Sequence, residues 1–222
     1  MTPVGLVADG DGVSAPPTCP RCAGPLRSPG LMSSTWDCER HGAVHPLHVV
    51  PRPAGEALRK VAGHSGVPLW SPLPLLPGWS LTGLATVGDD RTPAKATITA
   101  LAGPSPLGGP ADLLLVAEEP GVGVGARFAG LEEVDPGQVA VGPPDAKIEA
   151  AGHPTALWRC QSADDRAAFV GEAMGVWLWA VLWPPAAELV LLEHVVLHDL
   201  RDEAHAAIDL PIGAPSPRLT AA

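Results

Sequence analysis

The sequence predicts an α+β protein: a small cysteine-rich module at the N-terminus, then a mainly antiparallel β-sheet domain that ends in a C-terminal helix. Three observations predict it. Cys19, Cys22 and Cys38 crowd the first forty residues beside His41. From residue 80 onward, short apolar runs alternate with Gly, Pro and Asp clusters, the pattern of strands and turns. Leu189, Leu192, Val196 and Leu200 then recur at helical spacing.

In chain order, residues 1–17 are polar, contain Gly and Pro, and read as a flexible tail. Residues 18–49 hold two pairs, Cys19-x-x-Cys22 and Cys38-x-x-His41. A C-x-x-C turn brings two thiolates into one half of a tetrahedron, and a second knuckle of equal spacing supplies the other half. Pro20 stiffens the first turn, while Gly24 and Gly42 are expected where the chain leaves each knuckle in an unusual backbone conformation. The S₃N donor set suits Zn²⁺, which accepts tetrahedral thiolate and imidazole without a d-electron preference. His45 and His48 compete with His41 for the fourth position.

These residues resemble the zinc-ribbon superfamily, whose first knuckle is usually C-P-x-C-G; here Ala23 stands in place of the glycine. The resemblance covers about thirty residues, as a structural zinc module of this size would. Four protein ligands leave no open position for water, so the metal is expected to be structural, and free thiolates of this kind imply a reducing compartment, the cytoplasm.

Residues 50–79 begin with a short helix, marked by Pro53, Glu56 in the first turn, Arg59 and Lys60 late, and Gly63 or Gly66 after it. Val67–Trp79 contains too many prolines for a helix and reads as an extended strap, whose Trp70, Leu73, Leu75 and Leu76 dock on the next domain. Over 80–212, a hairpin is expected from Ser80–Val87 and Ala94–Leu101 around Gly88-Asp89-Asp90, with further strands at Ala111–Glu118, Ala146–Ala151 and Thr155–Cys160. Ala167–Trp183 gives the strongest strand signal. Both faces of Val176–Trp183 are apolar, which predicts a central strand covered on both sides. Ala186–Arg201 is read as the closing helix, with a strand ending near Leu200 as the alternative, and 213–222 as a flexible tail.

This order of a Leu-Pro-Gly-Trp entry, a β-meander, a G-x-P-x-x-L-W segment and a Trp-rich strand resembles the α+β sheets of the lipoprotein-carrier and anti-sigma-sensor type. The whole chain also resembles an uncharacterised actinobacterial family that joins a ribbon to such a domain. No activity comes with either resemblance.

Composition narrows the function classes. Residues 1–111 carry eight Lys/Arg and seven Asp/Glu, and residues 112–222 carry six and seventeen, so the chain is acidic overall at −10. Neither half offers the cationic stripe that nucleic acid or an anionic membrane requires. Ala173–Leu192 is long and apolar enough to suggest a span, but Pro184-Pro185 and Glu188 interrupt it and no flanking Lys/Arg sets an orientation.

Three further features are candidates for chemistry. Gly121, Gly123 and Gly125 follow a strand and precede Arg127; the amides of such a loop, chiefly at Gly123 and Gly125, with Arg127 beside them, can cradle an anion. His194 and His198 would stand one turn apart on the closing helix, with Asp202 beyond, and His153 precedes Pro154. Trp177, Trp179 and Trp183 share one strand face as core or as a ligand platform. Cys160 reads as a buried small hydrophobe. No catalytic residues can be assembled. The preferred reading is a non-enzymatic cytoplasmic zinc-ribbon protein that docks a protein partner or binds a small ligand. The alternative is an enzyme using the Gly121–Arg127 loop for an anionic substrate and a histidine as acid/base.

Overall fold

Strands that are apolar on both faces can only sit inside a sheet that is covered twice. The structure, a computed structural model describing residues 16–31, 33–50, 53, 55–202 and 209–220, is organised around such a sheet. The cysteine-rich module forms a three-stranded antiparallel sheet of β1 (Leu26–Arg27), β2 (Trp36–Cys38) and β3 (Gly42–Val44). The chain then enters a ten-stranded sheet through β4 (Leu47–Val50), passes α1 (Gly55–His64) and β5 (Trp70–Pro72), and continues as β6 (Ser80–Val87), β7 (Ala96–Pro104) and β8 (Pro110–Glu118). After α2 (Val124–Ala129) come β9 (Ala146–Ala150), β10 (His153–Cys160), β11 (Ala167–Ala173), β12 (Val176–Trp183), β13 (Val196–Asp199) and α3 (Pro217–Thr220). The order across the sheet is β4-β6-β7-β8-β12-β11-β10-β9-β13-β5. Pairing is antiparallel throughout except between β13 and β9.

The alternation expected for Val176–Trp183 is present. Leu178, Ala180 and Leu182 enter one core, with Leu113, Leu115, Leu101, Leu157 and Leu197. Trp179, Val181 and Trp183 enter the other, with Leu114, Val116, Ile98, Val124 and Phe128. The first core also takes Leu58 and Val61 from α1 and Trp70 from β5, and β5 lies against β7 and β8, so the sheet curls around this filling. The second core is covered by α2, by Leu47 and by Leu219.

Three expectations are corrected. Ala186–Arg201 is not an α-helix. Pro185–Leu192 forms a 3₁₀ helix that buries Ala187, Val190 and Leu191, and the chain then extends into β13, inserted between β9 and β5. Pairing with β9 and β5 satisfies the backbone of Val196–Asp199 and those strands' own edges together, and it puts Leu197 into the core. His198 therefore lies on a strand, and the helical pair with His194 does not form. The strap does more than dock, since its residues 70–72 are the edge strand β5. Residues 213–219, expected within a free tail, lie on the sheet: Gly213 N–H donates to Leu81 O, Ser216 N–H to Thr82 O, and Leu219 is buried. Gly83 admits it, because a Cβ there would stand 2.6 Å from Leu219 Cδ1. The tail expected over 1–17 falls almost wholly outside the described residues.

No helix among the described residues is long and apolar enough to cross a membrane; Ala173–Leu192 is divided between β11, β12 and the 3₁₀ segment.

Candidate metal centre

The two knuckles converge. The Sγ atoms of Cys19, Cys22 and Cys38 and a ring nitrogen of His41 all lie within 4.8 Å of one another, the one such group of metal-ligating side chains among the described residues. Cys22 Sγ is 3.7 Å from Cys38 Sγ, and His41 Nδ1 is 3.5 Å from Cys19 Sγ and 3.6 Å from Cys38 Sγ. Bonds of about 2.3 Å to sulfur and about 2.0 Å to nitrogen, opened at a tetrahedral angle, separate two sulfurs by about 3.8 Å and sulfur from nitrogen by about 3.5 Å. The donor set therefore has the dimensions of a tetrahedral metal site. A disulfide would need sulfurs about 2.05 Å apart, and all four cysteines are free. His41 completes the set, whereas His45 and His48 line separate clefts.

Local backbone geometry builds each knuckle. In the first, Ala23 N–H donates to Cys19 O at 2.8 Å and Cys19 N–H to Gly24 O at 2.9 Å. Ala23 takes the left-handed conformation, φ 57°, that ordinarily favours glycine, so a side chain sits here in a glycine's backbone. Gly24 has another role: a Cβ there would press on Cys22 Sγ at 3.3 Å. In the second knuckle Gly42 has the expected positive φ, 65°.

Burial pushes the Cys19 thiol up to about 12, against the backbone donors of Arg21 and Cys22. At Cys38 burial acts the same way, but the N–H groups of Arg40 and His41 together with the Cys19 and Cys22 side chains outweigh it and hold the thiol below its ordinary value. Burial, then the charges of Arg21 and Arg40, lower the His41 imidazole, which favours the neutral ring a metal needs.

The module is fastened to the sheet through residues that sequence reasoning missed. Arg21, the variable position of the first knuckle, donates from Nη2 to Gly121 O at 2.7 Å and from Nε to Val122 O at 3.2 Å. The Gly-rich loop is thus the seat of the knuckle, and the amides of Gly121, Val124 and Gly125 are occupied. Val124 and Gly125 N–H donate to the buried Glu118 carboxylate at 2.8 and 3.2 Å, and Gly121 N–H to Asp135 Oδ1 at 2.9 Å. Where Gly123, Gly125 and Arg127 were expected to hold an anion, the chain's own Glu118 carboxyl takes the amide of Gly125, together with that of Val124. Burial raises that carboxyl to about 7, and Asp135 adds to the rise, against the two N–H donors.

Gly123 is the residue before α2, with φ 83°; Gly125 packs so closely on Trp179 that a Cβ would overlap the indole. Arg127, at the end of α2, is turned toward the metal ligands: burial brings its guanidinium down to about 10, opposed by the charges of Cys19 and Cys22. His153 and His194 are exposed. Trp179 and Trp183 are core and Trp177 is half-buried. Cys160 is buried as expected, and burial raises its thiol to about 11.

No curated protein and no solved structure matches the chain. Residues 13–219 match a family of unknown function, DUF6758, whose description names neither a zinc ribbon nor a carrier-type sheet; the chain, matched over nearly its whole length, belongs to that family.

Proposed function

We propose that this chain is a non-enzymatic cytoplasmic protein in which Cys19, Cys22, Cys38 and His41 hold a structural Zn²⁺, forming a zinc ribbon that serves as a protein-docking or small-ligand-binding module. The observation that carries the proposal is the closed donor set: four protein ligands at tetrahedral separations leave no position for a reacting water. Three thiolates and an imidazole favour zinc over the harder divalent ions, and in a module this small the metal supplies folding free energy on the order of 10 kcal/mol. The acidic charge of the chain favours a protein or small-molecule partner over nucleic acid or membrane.

Elemental analysis of the purified full-length chain tests the metal: one zinc per chain is expected. A Cys19→Ala/Cys22→Ala double variant should lose it and expose residues 18–49 to protease. Metal-free wild type, or a variant keeping both metal and protease resistance, refutes the ribbon. Cross-linking in the native host tests docking, since a partner held by wild type and lost from the double variant places the contact on the ribbon.

The enzymatic alternative keeps one support, a cleft of about 250 Å³ where Gly121 and Val122 face Arg21, Lys95, Glu119 and His45. Lys95 and Glu119 pair with each other at 3.1 Å there, and Arg21 spends its donors on the carbonyls of Gly121 and Val122.

A further inference from the structure

Three of the six Lys/Arg residues between 112 and 222 converge on one cavity. Arg127, Arg166 and Arg218 line about 300 Å³ of space together with Phe128, Trp183 and Cys22 of the first knuckle. Aromatic rings hold all three guanidiniums. Arg127 lies 4.2 Å from the Phe128 ring centre, while Arg166 and Arg218 each lie 5.0 Å from Trp183.

Their counter-ions differ. Arg166 pairs with Asp165 through Nε and Nη2 at 2.6 and 3.2 Å, and Arg218 Nε meets Asp112 Oδ2 at 2.9 Å. Arg127 has no carboxylate partner among the described residues, and its Nε and Nη2 are buried without an acceptor. A buried guanidinium left unpaired is strongly unfavourable, so a counter-charge is required beside it.

The ligand set can supply that charge. Three thiolates and a neutral imidazole around a divalent ion carry a formal charge of −1, which one guanidinium balances, while Arg166 and Arg218 are already matched by Asp165 and Asp112. We propose that Arg127 is the counter-ion of the metal centre, so that metal uptake by the knuckles and their seating on α2 and the sheet are one coupled event. This rests on the metal-centre reading above. Arg127 acts through the ligands and is a positioning residue: it stabilises the metal-loaded set and is left uncompensated when the metal is absent.

The consequence is a change of sign between two states. Arg127→Met keeps the bulk and removes the charge. In the full-length chain it should weaken zinc binding, read by competition with a chromophoric chelator, by 10- to 100-fold, as expected for loss of a partner to metal ligands. The metal-free protein should melt no lower than wild type, so the rise in Tm on zinc loading shrinks. Arg127→Gln, which retains polar contact, should behave alike, and Arg159→Gln, whose partner is Glu188 away from the cavity, should change neither.

Unchanged zinc affinity in Arg127→Met overturns the proposal, as does an equal loss of Tm with and without metal, which would make Arg127 a packing residue only. It is also overturned if inorganic phosphate at constant ionic strength raises the Tm of wild type and not of Arg127→Met while zinc affinity stays the same; the counter-ion would then be an oxyanion taken up by the three-arginine cavity. Wild type that binds no zinc refutes the metal centre and this coupling together, whereas wild type that binds zinc as tightly as Arg127→Met refutes the coupling alone.

Discussion

Glu118→Gln should remove one component of the pH dependence of stability, and its size follows from the site. Glu118 is fully buried at the end of β8, accepts the first two N–H groups of α2, and has its carboxyl raised from 4.5 to about 7 by burial. The unfolded chain gives up this proton near 4.5, while the folded chain holds it until about 7. Between those values the folded state binds more protons, so the stability it contributes is complete below the unfolded value and is lost as pH rises through the folded one. The difference corresponds to roughly 3 kcal/mol. Protons compete with metal at Cys19, Cys22, Cys38 and His41, a contribution of opposite slope. It cancels when the variant is compared with wild type at each pH. Glutamine keeps a carbonyl for one of the two amides of Val124 and Gly125, sets an NH2 against the other at every pH, and has no proton to lose. Denaturant unfolding of the metal-loaded proteins, followed by tryptophan fluorescence at pH 5 and pH 8, should show the variant gaining on wild type by roughly 2.5 kcal/mol, since pH 5 already lies above the unfolded value. A gap that is the same at both pH values, or that moves the other way, refutes the assignment of Glu118 as a carboxyl held protonated by burial.

Other substitutions test the knuckle, the loop and the C-terminal segment. Ala23→Gly relieves a left-handed alanine costing about 1–2 kcal/mol and gives back about 0.4–1 kcal/mol as chain entropy, so zinc-loaded protein should gain about 0.5–1 kcal/mol in denaturant unfolding. Gly125→Ala gains about 1 kcal/mol of helix propensity but drives a methyl into the buried Trp179 indole, where overpacking costs about 1–3 kcal/mol. A net loss with disturbed tryptophan fluorescence is expected, and a rise in Tm would contradict the packing. Leu219→Ala should cost about 2–5 kcal/mol if the C-terminal segment is docked on β6, and almost nothing if that segment is free in solution.

What the sequence made legible was local. The ligands are readable because Cys19-x-x-Cys22 and Cys38-x-x-His41 each close within a single turn, and the hairpin of β6 and β7 because its partners are neighbours along the chain. Val176–Trp183 declared its place by carrying apolar residues on both faces. The misreadings share a cause: each concerned a group whose partner lies far away in sequence. Leu189, Leu192, Val196 and Leu200 fit a helical period, but Val196 and Leu197 are claimed by Glu149 and Ala150 of β9, an edge invisible from residues 186–201 alone. The Gly-rich loop did announce a cradle of amides, and the group it cradles proved to be the chain's own Glu118 carboxyl. Arg21 carried no motif, and Arg127 was read with the Gly-rich loop and not with the knuckles. One reaches about a hundred residues to the carbonyls of Gly121 and Val122, and the other lines a cavity with Cys22. Two modules drawn from the sequence are therefore joined by more than a strap: β4 continues the chain from the knuckles directly into the sheet, and Arg21 binds the first knuckle to the loop that leads into α2. The first knuckle shares a cavity with Arg127 and Phe128 of α2 and with Trp183, so opening the Cys19, Cys22, Cys38 and His41 cluster should be felt there. For this reason the zinc dependence of the whole chain's unfolding, and not of residues 18–49 alone, is the measurement that reports on it.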